Sequence, residues 1–196
     1  VEALLREKDL LIQEVHHRIK NDMNFVRSLL SLQANTTTNR ELSTSLGEAS
    51  NRITVMSHVY DRLHREGNLH AVEIGRLLKN LVRDLRGSYL PLGLRVDVDT
   101  DECEVPTRLS VSVGIVLNEL VTNAAKYAFQ GVADPRLSVS LRCDGEQIVL
   151  TVRDSGRGFP DAVLSSLEGG YGFTIINALA EQHGGRVELS NDGGAV

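Results

Sequence analysis

Tryptophan is absent from the chain, and cysteine occurs only twice among its 196 residues. Cys103 and Cys143 lie far apart and form no CxxC pair. Neither a metal framework nor a disulfide scaffold is expected from them, and a reducing cytoplasm is the natural setting. A basic excess is also missing: Lys+Arg 21 against Asp+Glu 26 gives a formal net charge of −5. That balance argues against a generic nucleic-acid binder. No apolar run approaches the roughly 20 residues of a membrane span, and no signal peptide is visible, so membrane contact by this stretch is not expected. What is present is ordinary for a globular protein: 41% hydrophobic and 24% charged residues. The length suits one large domain or two small ones. Because the first residue is Val1, the expectation is a piece of a longer protein whose sensor or membrane tether lies elsewhere.

The first 66 residues contain no proline and a single glycine, Gly47. Ile12, Val15, Ile19, Met23, Val26 and Leu30 follow at steps of three or four and draw one apolar helical stripe. Ala34–Arg40 breaks the pattern as a turn, with Thr38 or Asn39 suited to cap the next helix. A second stripe, Leu42, Leu46, Ala49, Ile53, Met56, Tyr60 and Leu63, runs to about Arg65 with coiled-coil spacing. The expectation for residues 1–66 is therefore an antiparallel helical hairpin. Such a hairpin leaves apolar surface wet unless two copies form a four-helix bundle, so a homodimer is expected. Folding back onto the rest of its own chain is the alternative.

Residues 67–72 read as a linker, and 73–196 as a second domain of different texture. A helix is expected over Val72–Tyr89, a strand over Leu94–Val98 and a long helix over Pro106–Phe129. Arg136–Arg142 and Gln147–Arg153 flank Asp144-Gly145 as a hairpin. Gly156–Gly172 is glycine-rich and loop-like, Phe173–His183 is helical, and Val187–Leu189 begins a strand whose partner is expected beyond Val196. The fold class is α+β, helices layered on a mixed sheet.

Three groups of residues carry chemistry. On the first helix, His16 and His17 point about 100° apart. His16 borders the apolar stripe, whereas His17 falls on a wet ridge with Glu14, Asn21 and Asn24. An exposed imidazole without a second ridge ligand is a poor metal site and an accessible nucleophile, although alone it is ordinary helix surface. On the long helix, Glu119, Asn123 and Lys126 stand at i, i+4 and i+7. The carboxylate and amide oxygens suit Mg2+ and the ammonium suits phosphate. Finally, Asp154-Ser155-Gly156-Arg157-Gly158-Phe159 follows a strand, and Gly169-Gly170-Tyr171-Gly172 opens a helix. Glycines let backbone N–H groups approach a ligand, the helix N-terminus favours phosphate, and an Asp at a strand end can accept from an exocyclic amine.

The order of these motifs resembles the Bergerat-type ATP-binding fold of sensor histidine kinases and gyrase-type ATPases. NELVTNAAKY resembles the N box, DSGRGF the first glycine box and GYGFTIINALAEQHGG the second. EVHHRIKND resembles the His-Arg-x-x-Asn box of the HisKA_2 subfamily. The sister HWE group carries a His before the N-box Glu and a Trp-containing signature. This chain has Asn118 there and no Trp, so HisKA_2 fits better. The resemblance implies that His17 is the phosphoacceptor, with Asn123 holding Mg2+ and Glu119 near the γ-phosphate. Lys126 and Tyr127 would contact the nucleotide and Asp154 would bind adenine. Gly156, Gly158, Gly170 and Gly172 would shape the pocket and lid. Arg18 follows His17 where most histidine kinases have an acid, so the base falls to Glu14 or Glu119. Asn21 matches a position linked to phosphatase activity, and Phe173 replaces a more usual Leu or Met. The implied substrate is Mg-ATP and the implied partner a response-regulator receiver domain that accepts the phosphoryl group on Asp. Two rivals remain: an ATP-sensing dimeric module without histidine phosphorylation, and an ATPase or serine kinase of the same fold.

Overall fold

The computed structural model describes residues 2–65, 71–88, 90–145, 147–166 and 170–196. The chain divides into two compact units, Val1–Leu69 and His70–Val196.

The first unit is a helical hairpin, α1 (Glu2–Thr36) and α2 (Arg40–Arg65). Thr37–Asn39 makes the turn, tighter than the break expected over 34–40. Asn39 is the cap: its Oδ1 accepts from the N–H groups of Glu41 (3.0 Å) and Leu42 (3.1 Å), two donors that the start of α2 would otherwise leave unmet. Ser31 and Ser50 share a hydrogen bond across the helices (3.0 Å), and Ser43 Oγ donates to the Ala34 carbonyl (2.8 Å). Ile19, Met23 and Leu30 are half-buried, but Val15 and Val26 of the same expected stripe are exposed, as are Phe25, Leu29, Leu32 and Leu42. The apolar surface of α1 is wider than one stripe, and a single partner helix covers only part of it.

The second unit is α+β. A short strand β1 (Ala71–Glu73) precedes α3 (Ile74–Ser88) and pairs antiparallel with β3 (Glu104–Pro106). Both strands were outside expectation, the first because Val72 and Ile74 read equally well as helix. Glu73 sets the boundary: its Oε2 accepts from the N–H of Arg76 (2.8 Å) in the first turn of α3. The sheet has the order β2 (Arg95–Thr100), β4 (Arg136–Asp144), β5 (Gln147–Asp154), with β2 parallel and β5 antiparallel to β4. Its inner face carries Leu137, Val139 and Leu141. These residues form a core with Leu77, Leu78 and Leu81 of α3 and Ile115, Leu117 and Val121 of α4 (Thr107–Tyr127). A six-residue helix α5 (Asp161–Ser166) stands within the expected glycine-rich loop, and α6 (Tyr171–Gln182) comes after it.

Two expectations are corrected here. Val187–Leu189 is not a strand; instead residues 190–196 fold into a tight turn, with Ser190 and Val196 exchanging both backbone hydrogen bonds and Asn191 bridging to Ala195. Cys103 and Cys143, expected to stay unpaired, form a disulfide across 40 positions. The fold brings them together because Asp101 docks on β4: its N–H donates to the Leu141 carbonyl (3.1 Å) and its Oδ2 accepts from the Cys143 N–H (3.0 Å). No helix among the described residues is long and apolar enough to cross a membrane.

Candidate functional site

Helix α4 forms one wall of the site. It is apolar on the sheet side, so its polar residues turn toward α6 and the glycine loop. They form a gradient rather than a uniformly wet face: Glu119 is 5% exposed, Asn123 is half-buried, and Lys126 and Tyr127 are exposed. Asn118, also buried, directs Nδ2 toward Glu119 Oε1 at 3.5 Å.

The first turn of α6 closes over this wall. Gly172 packs so tightly that a Cβ there would lie 3.1 Å from Glu119 Oε2 and 3.5 Å from Asn123 Nδ2. A carboxylate and an amide thus stand together at the start of a helix, where helix geometry gives the first backbone N–H groups no intrahelical acceptor and the dipole is positive. Gly170, with φ +77°, forms the N-cap without help from a side chain. At the other end of α6, His183 Nε2 and Ser112 Oγ share a 2.9 Å hydrogen bond that fixes the helix to α4.

The loop after β5 is the third part. Asp154 is buried, and its Oδ1 accepts from the N–H groups of Gly156 (2.8 Å) and Ala195 (3.2 Å). Gly156 lies against the end of α4, where a Cβ would meet the Ala128 carbonyl oxygen at 2.5 Å, so no other residue fits. Arg157 reaches back to the same place, its Nε donating to the Tyr127 carbonyl (3.0 Å). Phe159 meets Phe173 of α6 edge to face, ring centroids 5.8 Å apart. Phe173, at the position expected to alter lid packing, is buried in that contact.

Asp154, Gly156, Gly158, Glu119, Asn123, Gly170 and Gly172 therefore belong to one constellation in the second unit, with Lys126 and Tyr127 at the end of α4. His17, Asn21 and Glu14 stand on the first unit, all three exposed. Glu14 Oε1 accepts from Arg18 Nε at 2.9 Å. His16, expected beside the buried stripe, has its side chain outside the described residues, as do the connector residues 66–70 and residues 167–169 of the expected lid.

Two family models match the chain in succession. Residues 14–89 match a histidine kinase model of the HisKA_2 type, and residues 109–196 match the histidine kinase-, DNA gyrase B-, and HSP90-like ATPase model. The chain carries a HisKA_2 histidine kinase region followed by an ATPase region of the histidine kinase type. Among its relatives is blue-light-activated histidine kinase 2 of Erythrobacter litoralis, 27% identical over 200 residues, which cover 95% of this chain and 55% of that protein. The sensor histidine kinase PdtaS of Mycolicibacterium smegmatis is 29% identical over 180 residues, 89% of this chain and 35% of that protein. The chain thus spans about a third to a half of these relatives. A solved histidine kinase domain of an Erythrobacter litoralis blue-light-activated kinase shares the fold, with a TM-score of 0.70, 21% identity and coverage of 88% and 91% of the two chains.

The first match includes His17 and Asn21, the second Glu119, Asn123, Lys126, Tyr127, Asp154 and the four glycines of the candidate site. Sequence reading missed three supports of the candidate site in the second unit: Arg157, Ala195 and Asn191. Arg157 stood inside a recognised motif and carried no separate signal. Ala195 acts only through its backbone. Asn191 lies in a polar stretch that reads as an ordinary turn.

Proposed function

We propose that the chain phosphorylates itself on His17 from Mg-ATP and passes the phosphoryl group to an aspartate of a response-regulator receiver domain. The observation that carries this reading is the meeting of Glu119, Asn123 and Gly172 beside the Asp154 loop. It joins a carboxylate, an amide and a helix N-terminus in the unit that matches the ATPase family. His17 supplies the other half, an imidazole exposed on α1.

In the proposed reaction a neutral ring nitrogen of His17 attacks the γ-phosphorus of ATP. The N–P bond forms as the bond to the β–γ bridging oxygen breaks, releasing ADP. The proton displaced from the ring passes to a carboxylate, and we assign that role to Glu119, the buried carboxylate beside the first turn of α6. Asp154 accepts from the exocyclic amine of adenine, and Lys126 and the start of α6 offset phosphate charge. Asn123 Oδ1 is a hard oxygen donor of the kind Mg2+ takes, and it would hold the ion. The bound ion would supply charge neutralisation on the phosphates. The rest of the rate comes from holding substrate and acceptor in place. Transfer onward breaks the N–P bond and forms an acyl phosphate on the receiver aspartate. To Asn21, one turn from His17, we assign the orienting of a water that breaks the acyl-phosphate bond on the receiver and releases aspartate and inorganic phosphate.

A second copy of the chain is the proposed cover for Phe25, Val26, Leu29 and Leu32 of α1, giving a dimeric four-helix bundle. The work is placed in the cytoplasm, where ATP is available, with any membrane tether carried by other parts of the full-length protein.

Incubation with Mg2+ and γ-labelled ATP tests the reading. Wild type and His16→Ala should acquire acid-labile, base-stable label, and His17→Ala should acquire none. Label that survives in His17→Ala moves the acceptor to another residue. An unlabelled wild type that still binds ATP leaves the ATP-sensing module.

A further inference from the structure

The turn at residues 190–196 braces the glycine loop. The Asn191 side chain grips the backbone of Phe159 at both polar atoms: Oδ1 accepts from the Phe159 N–H (2.7 Å) and Nδ2 donates to the Phe159 carbonyl (2.9 Å). That is the pairing an adjacent strand would make, supplied by one amide. Room for it exists because position 158 is glycine, where a Cβ would lie 2.5 Å from Asn191 Oδ1. The same turn holds the other end of the loop, since Ala195 donates to Asp154 Oδ1 and its carbonyl accepts from the Asp154 N–H (3.0 Å). Phe159 in turn seats its ring on Phe173 of α6.

We propose that Asn191 is a positioning residue for nucleotide binding: it sets the Gly156–Phe159 loop against α6 and thereby the affinity for the adenine nucleotide. This rests on the reading that Asp154 and the glycine loop bind that nucleotide. Only an amide serves both Phe159 groups. Aspartate keeps the acceptor but sets a carboxylate oxygen against the Phe159 carbonyl, and serine is too short to reach both. Because Asn191 is exposed, its truncation ordinarily costs little stability, so a large effect on binding distinguishes positioning from bulk folding.

The test measures the affinity of the whole chain for a non-hydrolysable ATP analogue with Mg2+ by calorimetry, alongside thermal melts and autophosphorylation kinetics. Asn191→Ala and Asn191→Asp should each weaken binding by about tenfold, the effect of losing a pair of net hydrogen bonds. They should raise the KM for ATP and leave kcat within about twofold, because His17 is untouched. Arg153→Ala removes the ion pair to Asp192 (2.8 Å) that holds the same turn without touching the amide pairing, and should bind as wild type does. Should Asn191→Ala lose its cooperative melt, Asn191→Ser carries the same comparison. Wild-type affinity in the Asn191 variants overturns the proposal, as does an equal loss in Arg153→Ala. Failure of wild type itself to bind nucleotide overturns instead the functional reading beneath it.

Discussion

The glycines of the site separate into two physical kinds, and alanine tells them apart. At Gly156 an added methyl would strike the carbonyl and Cα of Ala128 at the end of α4, backbone atoms that cannot yield. Gly156→Ala should cost roughly 1–3 kcal/mol, as overpacking does, and lower the melting temperature together with nucleotide binding. At Gly172 the neighbours are the tips of Glu119 and Asn123, and the residue lies inside a helix where alanine is favoured by up to about 1 kcal/mol. Gly172→Ala should therefore keep or raise the melting temperature while pushing the Glu119 carboxylate aside. We expect autophosphorylation to fall on the order of tenfold, equivalent to about 1.4 kcal/mol of transition-state stabilisation. Parallel melts and single-turnover rates check both variants, and a Gly172→Ala protein with an undiminished rate would remove Glu119 from the reaction. Sequence spacing had put Glu119, Asn123 and Lys126 on one face of one helix. It could not show that the face is graded from buried to wet, because burial there is set by α6, some fifty residues later.

At the scale of elements, the helices were legible and the short strands were not. A stripe at steps of three and four needs no knowledge of its partner, so α1, α2 and α3 could be placed almost to their ends, and Asn39 among the candidate caps. Strands β1 and β3 are three residues each and owe their form to one another, which no local pattern reports. The exposed apolar residues of α1 lead to a test at this scale. Leu29→Glu sets a charge on the face proposed for the second copy, and light scattering should show a dimer-to-monomer shift with helix content retained. A variant that stays dimeric would exclude that face. A second test concerns β2 and β4. The Arg142 guanidinium hydrogen-bonds Asp99 and holds its carboxyl below the usual carboxylate range. A carboxyl lowered in the folded state stabilises above its unfolded pKa, near ~3.9, and loses that contribution as pH falls through the folded value. Wild type should thus melt slightly above Arg142→Ala near neutral pH, the gap should narrow in acid, and salt should shrink it because the pair is exposed.

For the molecule as a whole, the decisive relations are those that join distant stretches of chain, and they were the least legible. The Cys103–Cys143 pair gave no signal in sequence because neither residue has a neighbouring cysteine. It forms because Asp101 docks on β4, a consequence of the β2–β4 pairing. The crosslink closes a loop of 40 positions in the second unit and none in the first. Loop-closure entropy for that length amounts to about 4 kcal/mol in the chain-entropy account. Reduction, or Cys103→Ser, should therefore lower the melting temperature of the nucleotide-binding unit by on the order of 10 °C. The hairpin, a separate unit, should keep its own transition, and bound ATP analogue should raise only the transition that the thiols lower. Calorimetric scans with and without reductant track both. If the hairpin transition moved with the other, the two units would be melting as one, and stability would be shared across the chain rather than divided between the hairpin and the second unit.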